Sequence, residues 1–361
     1  MCSLVRVDMR QSMKASFKKM TPGKSAWVRL SVIAVLAACF CGAARAQFFF
    51  VACYNSNAIE EFDPNGNAII LSSSALNQPS GLALDAAGDL YVANYMGNSI
   101  VKFDANGVET NFASSGLANP YALALDAAGN VYAANFNGGN IKKFDSQGNG
   151  VTFASTGVNR PVGLAFDGAS NLYVANFGNG TIEKFDPSGH GTLFATNTNN
   201  VLSSPFGLAF DGRSNLYVAN FSGGTIEKFD PAGHATLFAS VTGPAGLFFD
   251  AESNLFVTSF SSNRITELTP AGVPSLFAGS ASVLSGPFFM AAQPGFASPP
   301  GRLFIQPAGT NVVLQWGTPA SFSLESATSP NGPYTVITNA PSPFTNPVTG
   351  AGMFFHTVPV N

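Results

Sequence analysis

An aliphatic run ending in aspartate recurs along this chain. It occurs first as Gly81-Leu82-Ala83-Leu84-Asp85 and returns ending at Asp126, Asp167, Asp211 and Asp250, at spacings of 41, 41, 44 and 39 residues. A period near 40 residues means that each unit is one supersecondary motif, too small to bury its own faces and obliged to stack on its neighbours. A second element appears six times: Phe50-Val51-Ala52-Cys53, Tyr91-Val92-Ala93-Asn94, Tyr132-Ala133-Ala134-Asn135, Tyr173-Val174-Ala175-Asn176, Tyr217-Val218-Ala219-Asn220 and Phe256-Val257-Thr258-Ser259. A third centres on Phe62, Phe103, Phe144, Phe185, Phe229 and Leu268, and a short Phe-rich segment follows each copy.

Every segment is short, rich in β-branched or aromatic residues and bounded by Gly, Asn, Asp or Pro, so each reads as a strand between tight turns. Four such strands per unit make a propeller blade. A helical solenoid would need segments of ten or more residues with a 3.6-residue period, and none occurs. The ends set the blade count. The first unit, from Phe48, lacks its aliphatic-Asp strand, and Pro287-Phe288-Phe289-Met290-Ala291-Ala292-Gln293 supplies one after the sixth unit, with Gln293 in the Asp position. The fold expected is an all-β, six-bladed β-propeller of four-stranded blades, closed when the last strand completes the first blade. Closure pairs two strand edges that would otherwise promote aggregation.

Residues 1–46 read as a signal peptide. Seven cations from Arg6 to Arg29 precede an apolar stretch, Leu30 to Cys41, and Ala44-Arg45-Ala46 suits cleavage before Gln47. Twelve apolar residues fall short of the roughly 20 that span a bilayer, so no transmembrane span is expected in the mature chain. The expected location is secreted, periplasmic or extracellular. The competing reading is a lipid anchor on Cys39, since Leu36-Ala37-Ala38-Cys39 resembles a lipobox, and intact mass separates the two. The leader holds eight of the 17 basic residues and one of the 20 acidic ones, so the mature chain carries about −10, which argues against nucleic acid as a partner. Three of the four cysteines leave with it, and Cys53 has no disulfide partner.

Units such as Gly163-Leu164-Ala165-Phe166-Asp167, continuing through Asn171-Leu172-Tyr173-Val174-Ala175-Asn176 to Thr181-Ile182 and Lys184-Phe185-Asp186-Pro187, resemble NHL repeats and the related gluconolactonase and streptogramin-lyase propellers. The resemblance spans the repeat region, with the propeller domain placed at 47–293. It implies that the aliphatic-Asp strand is innermost and the Tyr-Val-Ala-Asn strand second. It does not define an activity, because propellers of this kind include enzymes, sensors and scaffolds. After a linker at 294–301, residues 302–361 read as a small C-terminal β-sandwich, with strands at Leu303–Ile305, Val312–Trp316, Phe322–Ser326, Tyr334–Ile337 and Met353–Phe355. This module resembles fibronectin-type-III-like modules of secreted bacterial proteins, through Leu314-Gln315-Trp316 and the Phe322/Leu324/Ser326 pattern.

The candidate site is the ring formed by Asn94, Asn135, Asn176 and Asn220, with Cys53 and Ser259 in the equivalent positions. Amides at one height around a channel are placed to contact a ligand, a divalent cation or water. The alternative is that each satisfies backbone groups in a blade turn. The aromatic residue that follows, Tyr54, Tyr95, Phe136, Phe177, Phe221 or Phe260, suits either a stacking surface for sugars or peptides or packing between blades. The Asp-x-x-Gly stretches read as Asx turns, since calcium loops concentrate more carboxylates. Adjacent Glu60 and Glu61 should face opposite sides of a strand and so make no catalytic pair. His190 and His234 fall in outer turns of different blades, and no nucleophile elbow, phosphate loop or Cys/His cluster occurs. The lactonases and lyases that the chain resembles use an early metal-binding Glu in a Glu-Gly-Pro context, or channel histidines, and this sequence has neither. The chain therefore reads as a monomeric binding scaffold for a protein, peptide or glycan, with no catalytic residues and no cofactor. The alternative is a metal-dependent lactonase-like or lyase-like enzyme with a divalent cation in the channel.

Overall fold

A computed structural model describes residues 49–292, apart from short stretches within 63–67, 73–75, 106, 199–200 and 280–283, and six strands between 303 and 359. The expected leader and linker lie outside the described residues. Six four-stranded antiparallel sheets form the blades of a propeller. Blades 2 to 6 begin with the inner strands Pro79–Leu84, Pro120–Leu125, Pro161–Phe166, Pro205–Phe210 and Pro244–Phe249. Blade 1 takes its inner strand from the far end of the sequence. Pro287–Ala291 pairs antiparallel with Phe49–Cys53, placing Ala291 opposite Phe50, Met290 opposite Val51 and Pro287 opposite Cys53. Each inner strand contacts the next and the last contacts the first, so the ring closes as the sequence predicts.

Burial follows distance from the axis. All five residues of every second strand, such as Leu172–Asn176, are buried, because neighbouring blades cover both faces. In the third strands of blades 3 to 5 only the second and fifth residues are buried, whereas Ala58–Phe62 of blade 1 is buried throughout, and on the outer strands Ile70, Leu193, Leu237 and Leu276 lie exposed. The repeated third-strand Phe is core: Phe62, Phe103, Phe144, Phe185 and Phe229 are at most 2% exposed. Inner strands approach so closely that a Cβ on Gly163 or Gly207 would overlap a backbone carbonyl of the following blade, at Phe206 or Ala245. Glycine is required there by proximity alone. At three seams an asparagine in the turn of one blade accepts a hydrogen bond from the next: Asn57 from Gln78 N, Asn98 from Asn119 N, and Asn263 from Gly286 N, at 2.7, 2.7 and 2.8 Å.

The C-terminal strands form two three-stranded antiparallel sheets. One joins Leu303–Ala308, Asn311–Trp316 and Phe344–Pro347, and the other joins Thr335–Ile337, Phe322–Ala327 and Phe354–Pro359. Phe344–Pro347 is a strand that the sequence pattern did not single out. No helix among the described residues is long and apolar enough to cross a membrane.

Candidate functional site

The upper end of the ring carries the turns between second and third strands and the loops that enter the inner strands. Each inner strand opens with proline, then one variable residue, then Gly, Ala or Phe. The variable positions, in blade order 1 to 6, are Phe288, Ser80, Tyr121, Val162, Phe206 and Ala245. Large aromatic and smaller side chains alternate. The three aromatics come from blades 1, 3 and 5, which are not neighbours, and meet across the axis: Tyr121–Phe206, Tyr121–Phe288 and Phe206–Phe288 have ring centroids 5.4, 5.5 and 5.6 Å apart. Phe289 stands where four other blades have glycine and blade 3 has Ala122. Its ring reaches over to Phe206 and Tyr121, at 5.8 and 6.4 Å. Together these four rings stopper the channel at its upper end.

A second tier surrounds the stopper. Tyr54, Tyr95, Phe136, Phe177, Phe221 and Phe260 follow the second strands, and each donates its backbone N–H to the residue preceding an inner-strand proline, at 3.0–3.2 Å. That bond fixes the backbone that carries each ring. Tyr54 contacts Phe288 and Tyr95, Phe136 contacts Tyr121, Phe177 and Phe221 contact Phe206, and Phe260 stacks on Phe288 at 4.5 Å. All six rings are partly exposed. Burial pushes the Tyr121 phenol well above its ordinary range, and raises Tyr54 too, aided in both cases by neighbouring phenols. Both therefore remain neutral donors through the physiological range. The hydroxyls of Tyr54, Tyr95 and Tyr121 have no hydrogen-bond partner among the described residues. The arc from blade 1 to blade 3 thus offers phenol hydroxyls, while Phe177, Phe221 and Phe260 offer only hydrocarbon.

The four predicted asparagines end the second strands just beneath this tier. They are at most 5% exposed, and their amides are engaged within their own blades. Asn176 accepts from Asn159 N at 2.9 Å and donates to Gly157 O and the Thr181 hydroxyl at 2.8 and 3.1 Å. Asn135 and Asn220 repeat the pattern through Ala118 and Gly116, and through Ser203 and Val201; Asn94 accepts from Asn77 N. Removing such an amide takes three hydrogen bonds from part-buried groups, at about 1–3 kcal/mol in all. Asn176→Ala is therefore expected to lower the unfolding free energy by about that much, measured by urea denaturation.

The carboxylates belong to the opposite end. Asp167 Oδ1 accepts the N–H groups of Ala169 and Asn171, while Oδ2 meets the Asn171 amide at 2.8 Å and Lys184 at 3.5 Å. Burial alone would raise the pKa of Asp126, Asp167 and Asp211, but the asparagine amide, the backbone N–H and the lysine beside each hold it below the ordinary value. These lysines also lie over the ring of the next tyrosine, as Lys184 does over Tyr173 at 5.2 Å. His190 and His234 are exposed in turns at this lower end, each beside its own Asp186 or Asp230. No group of three or more His, Cys, Asp or Glu able to hold a metal occurs among the described residues. Glu60 lies opposite Val51 and Glu61 opposite Phe50, on opposite faces of blade 1 as expected, yet both are fully buried. Glu60 accepts from the Cys53 thiol, its Oε2 has no partner, and burial lifts its pKa from 4.5 to about 7.

The class defined by this geometry is a six-bladed propeller whose channel is stoppered by aromatic rings. The sequence matches no protein-family profile and no curated protein. Among solved structures it is similar to a chain of a nidogen/laminin complex, with 20% identity and a TM-score of 0.62 over 69% of this chain and 99% of that one. It is also similar to a streptogramin B lyase, with 16% identity and a TM-score of 0.56 over 72% and 84% of the two chains. Virginiamycin B lyase from Staphylococcus aureus has the same identity and TM-score over 76% and 89%. At these identities the likeness establishes the fold. Sequence reasoning missed the stopper, although aligning the six copies on their inner-strand prolines displays the large and small alternation directly.

Proposed function

We propose that this chain is an exported, non-catalytic propeller scaffold, with a fibronectin-like module appended, that binds a protein, peptide or glycan on the aromatic mouth above the stoppered channel. The observation that carries this is the second tier: six partly exposed rings, of which the phenols Tyr54 and Tyr95, like Tyr121 beneath them, have no hydrogen-bond partner among the described residues, in turns rich in Ser, Asn and Gly. Rigid aromatic anchors among small adaptable polar residues are the composition of protein-recognising loops. The nidogen/laminin likeness lends support, because a propeller of this shape occurs there in a protein complex. The four asparagines are then positioning residues that hold the turns under the rings.

The enzyme alternative fits less well. The similar structures include a catalytically inactive histidine-to-alanine variant of virginiamycin B lyase from Staphylococcus aureus with quinupristin. Here both propeller histidines sit at the far end, and the carboxylates there are committed to turns and lysines. We expect elemental analysis of the purified protein to find no stoichiometric divalent ion and a chelator to leave the thermal midpoint unmoved. A stoichiometric ion whose removal lowers the midpoint would return the enzyme reading. The direct test compares the protein with a Tyr95→Ser/Phe136→Ser variant on peptide and glycan arrays. Binding should vanish in this variant and survive in His234→Ala at the opposite end; ligands indifferent to the ring substitutions would move the site elsewhere.

A further inference from the structure

The residue before each inner-strand proline adopts a left-handed backbone in all six blades: Gln78, Asn119, Arg160, Ser204, Gly243 and Gly286 have φ between 47° and 62°. Glycine and asparagine tolerate that conformation most readily, and a long side chain gains nothing from it. Blade 4 nevertheless places arginine there. Arg160 is exposed, lies over the Phe136 ring at 5.9 Å, and has no carboxylate within ion-pair distance among the described residues. Among the described residues it is the only charged one in the turns and loops of the upper end. The nearest rivals are differently placed. Arg264 opens the third strand of blade 6, farther from the axis, and Glu183 lines a groove below the loop at Ser155–Gly157.

Phe136 connects this guanidinium to the phenols. Its ring contacts Tyr121 at 5.6 Å and Tyr95 at 6.4 Å, and Tyr95 contacts Tyr54 at 5.9 Å. One arc of the mouth therefore presents a guanidinium and three phenol hydroxyls, and the other arc is hydrocarbon. A guanidinium pairs most strongly with carboxylate, as charge-assisted and often bidentate hydrogen bonds, and phenol hydroxyls can donate to the same anion. Resting on the reading of the mouth as the ligand face, we propose that it takes a peptide segment with a carboxylate beside an aromatic or large aliphatic side chain. The carboxylate pairs with Arg160 above Phe136, and the apolar side chain lies on the arc of Phe177, Phe221 and Phe260. The loop composition favours a peptide over an acidic glycan, because its aromatic anchors and small polar residues are those of protein recognition.

The test selects random dodecapeptides displayed on phage against the full chain, then titrates synthetic copies of the winners. The expected winners share Asp or Glu next to an aromatic or aliphatic residue. Arg160→Gln should weaken them by about tenfold or more, Arg264→Gln should change affinity less than about twofold, and Asp→Asn in the peptide should cost nothing further once Arg160 is gone. Winners that depend on Phe136 but lack a carboxylate, or ignore Arg160→Gln, overturn this inference and leave the ligand face standing. Winners indifferent to both Phe136 and Arg160 overturn both. If no peptide is selected, or only polygalacturonate binds in an Arg160-dependent way, the peptide assignment is overturned.

Discussion

A chain ending at Gly286 is expected to show no cooperative unfolding transition. The deletion removes the inner strand of blade 1, and with it Phe288, Met290 and Ala291, which are 5–7% exposed in the intact ring. It also opens the seam where Thr258 donates its hydroxyl to Phe288 O and accepts from Gly246 N. Phe50, Val51 and Cys53 would become an unpaired edge. Two of the three stopper rings meeting across the axis would face a void where the third had been. Losing one buried Phe costs about 3–5 kcal/mol, and a whole strand exceeds the 5–15 kcal/mol margin of a typical domain. A chain ending at Gln293 keeps every one of these contacts and is expected to unfold in a single transition. Circular dichroism against urea distinguishes the two, and a sigmoidal transition in the shorter chain would refute closure by the last strand.

Glu60→Gln is expected to remove Glu60's share of the loss of stability that accompanies rising pH above 4.5. The folded state raises the Glu60 pKa to about 7 from 4.5, so below 4.5 the carboxyl is protonated in both states and folding gains or loses nothing from it. As pH rises from 4.5 to 7 the unfolded chain releases this proton while the folded chain retains it. The folded state then binds more protons, and stability falls until the folded pKa is passed. A shift of this size corresponds to about 3 kcal/mol at pH 8. The glutamine variant removes that loss and should be more stable than the parent at pH 8, with the difference vanishing near pH 4.5. Glu183 and Glu227, also raised by burial, act in the same direction in both proteins and cancel from the comparison. The aspartates held below their ordinary values act oppositely, contributing stability that is lost only as pH falls below the unfolded range. Denaturation of parent and variant from pH 4.5 to 8 gives the answer, and parallel curves would mean that Glu60 titrates normally.

The fold was legible because strand period, turn chemistry and repeat spacing all pointed one way. Tyr-Val-Ala-Asn alternates small and large residues on two faces that are both covered, and Pro287–Ala291 carries the one aliphatic strand that blade 1 lacks. The site was less legible, because sequence spacing gives a residue's height in the ring and not its radius. Asn94, Asn135, Asn176 and Asn220 do share one height, but their amides turn back into their own loops. The aromatic residues one position later turn toward the axis. Glu60 and Glu61 were placed correctly on opposite faces, while their burial depends on blades 6 and 2 packing against those faces, which no local pattern reports. The stopper depends on comparing blades 1, 3 and 5, whose aromatic residues Phe288, Tyr121 and Phe206 lie 82 to 167 residues apart in sequence.

The central claim is that recognition occurs on the aromatic mouth and not inside the ring. Soaking crystals of the mature protein with a library of small aromatic and carboxylate-bearing fragments tests it most directly. Fragments are expected to cluster on Tyr54, Tyr95, Phe136 and Arg160, with the ring of Phe289 still packed on Phe206 and Tyr121 beneath them. Fragments lodged below Phe289 beside the inner strands, with the mouth bare, would contradict it.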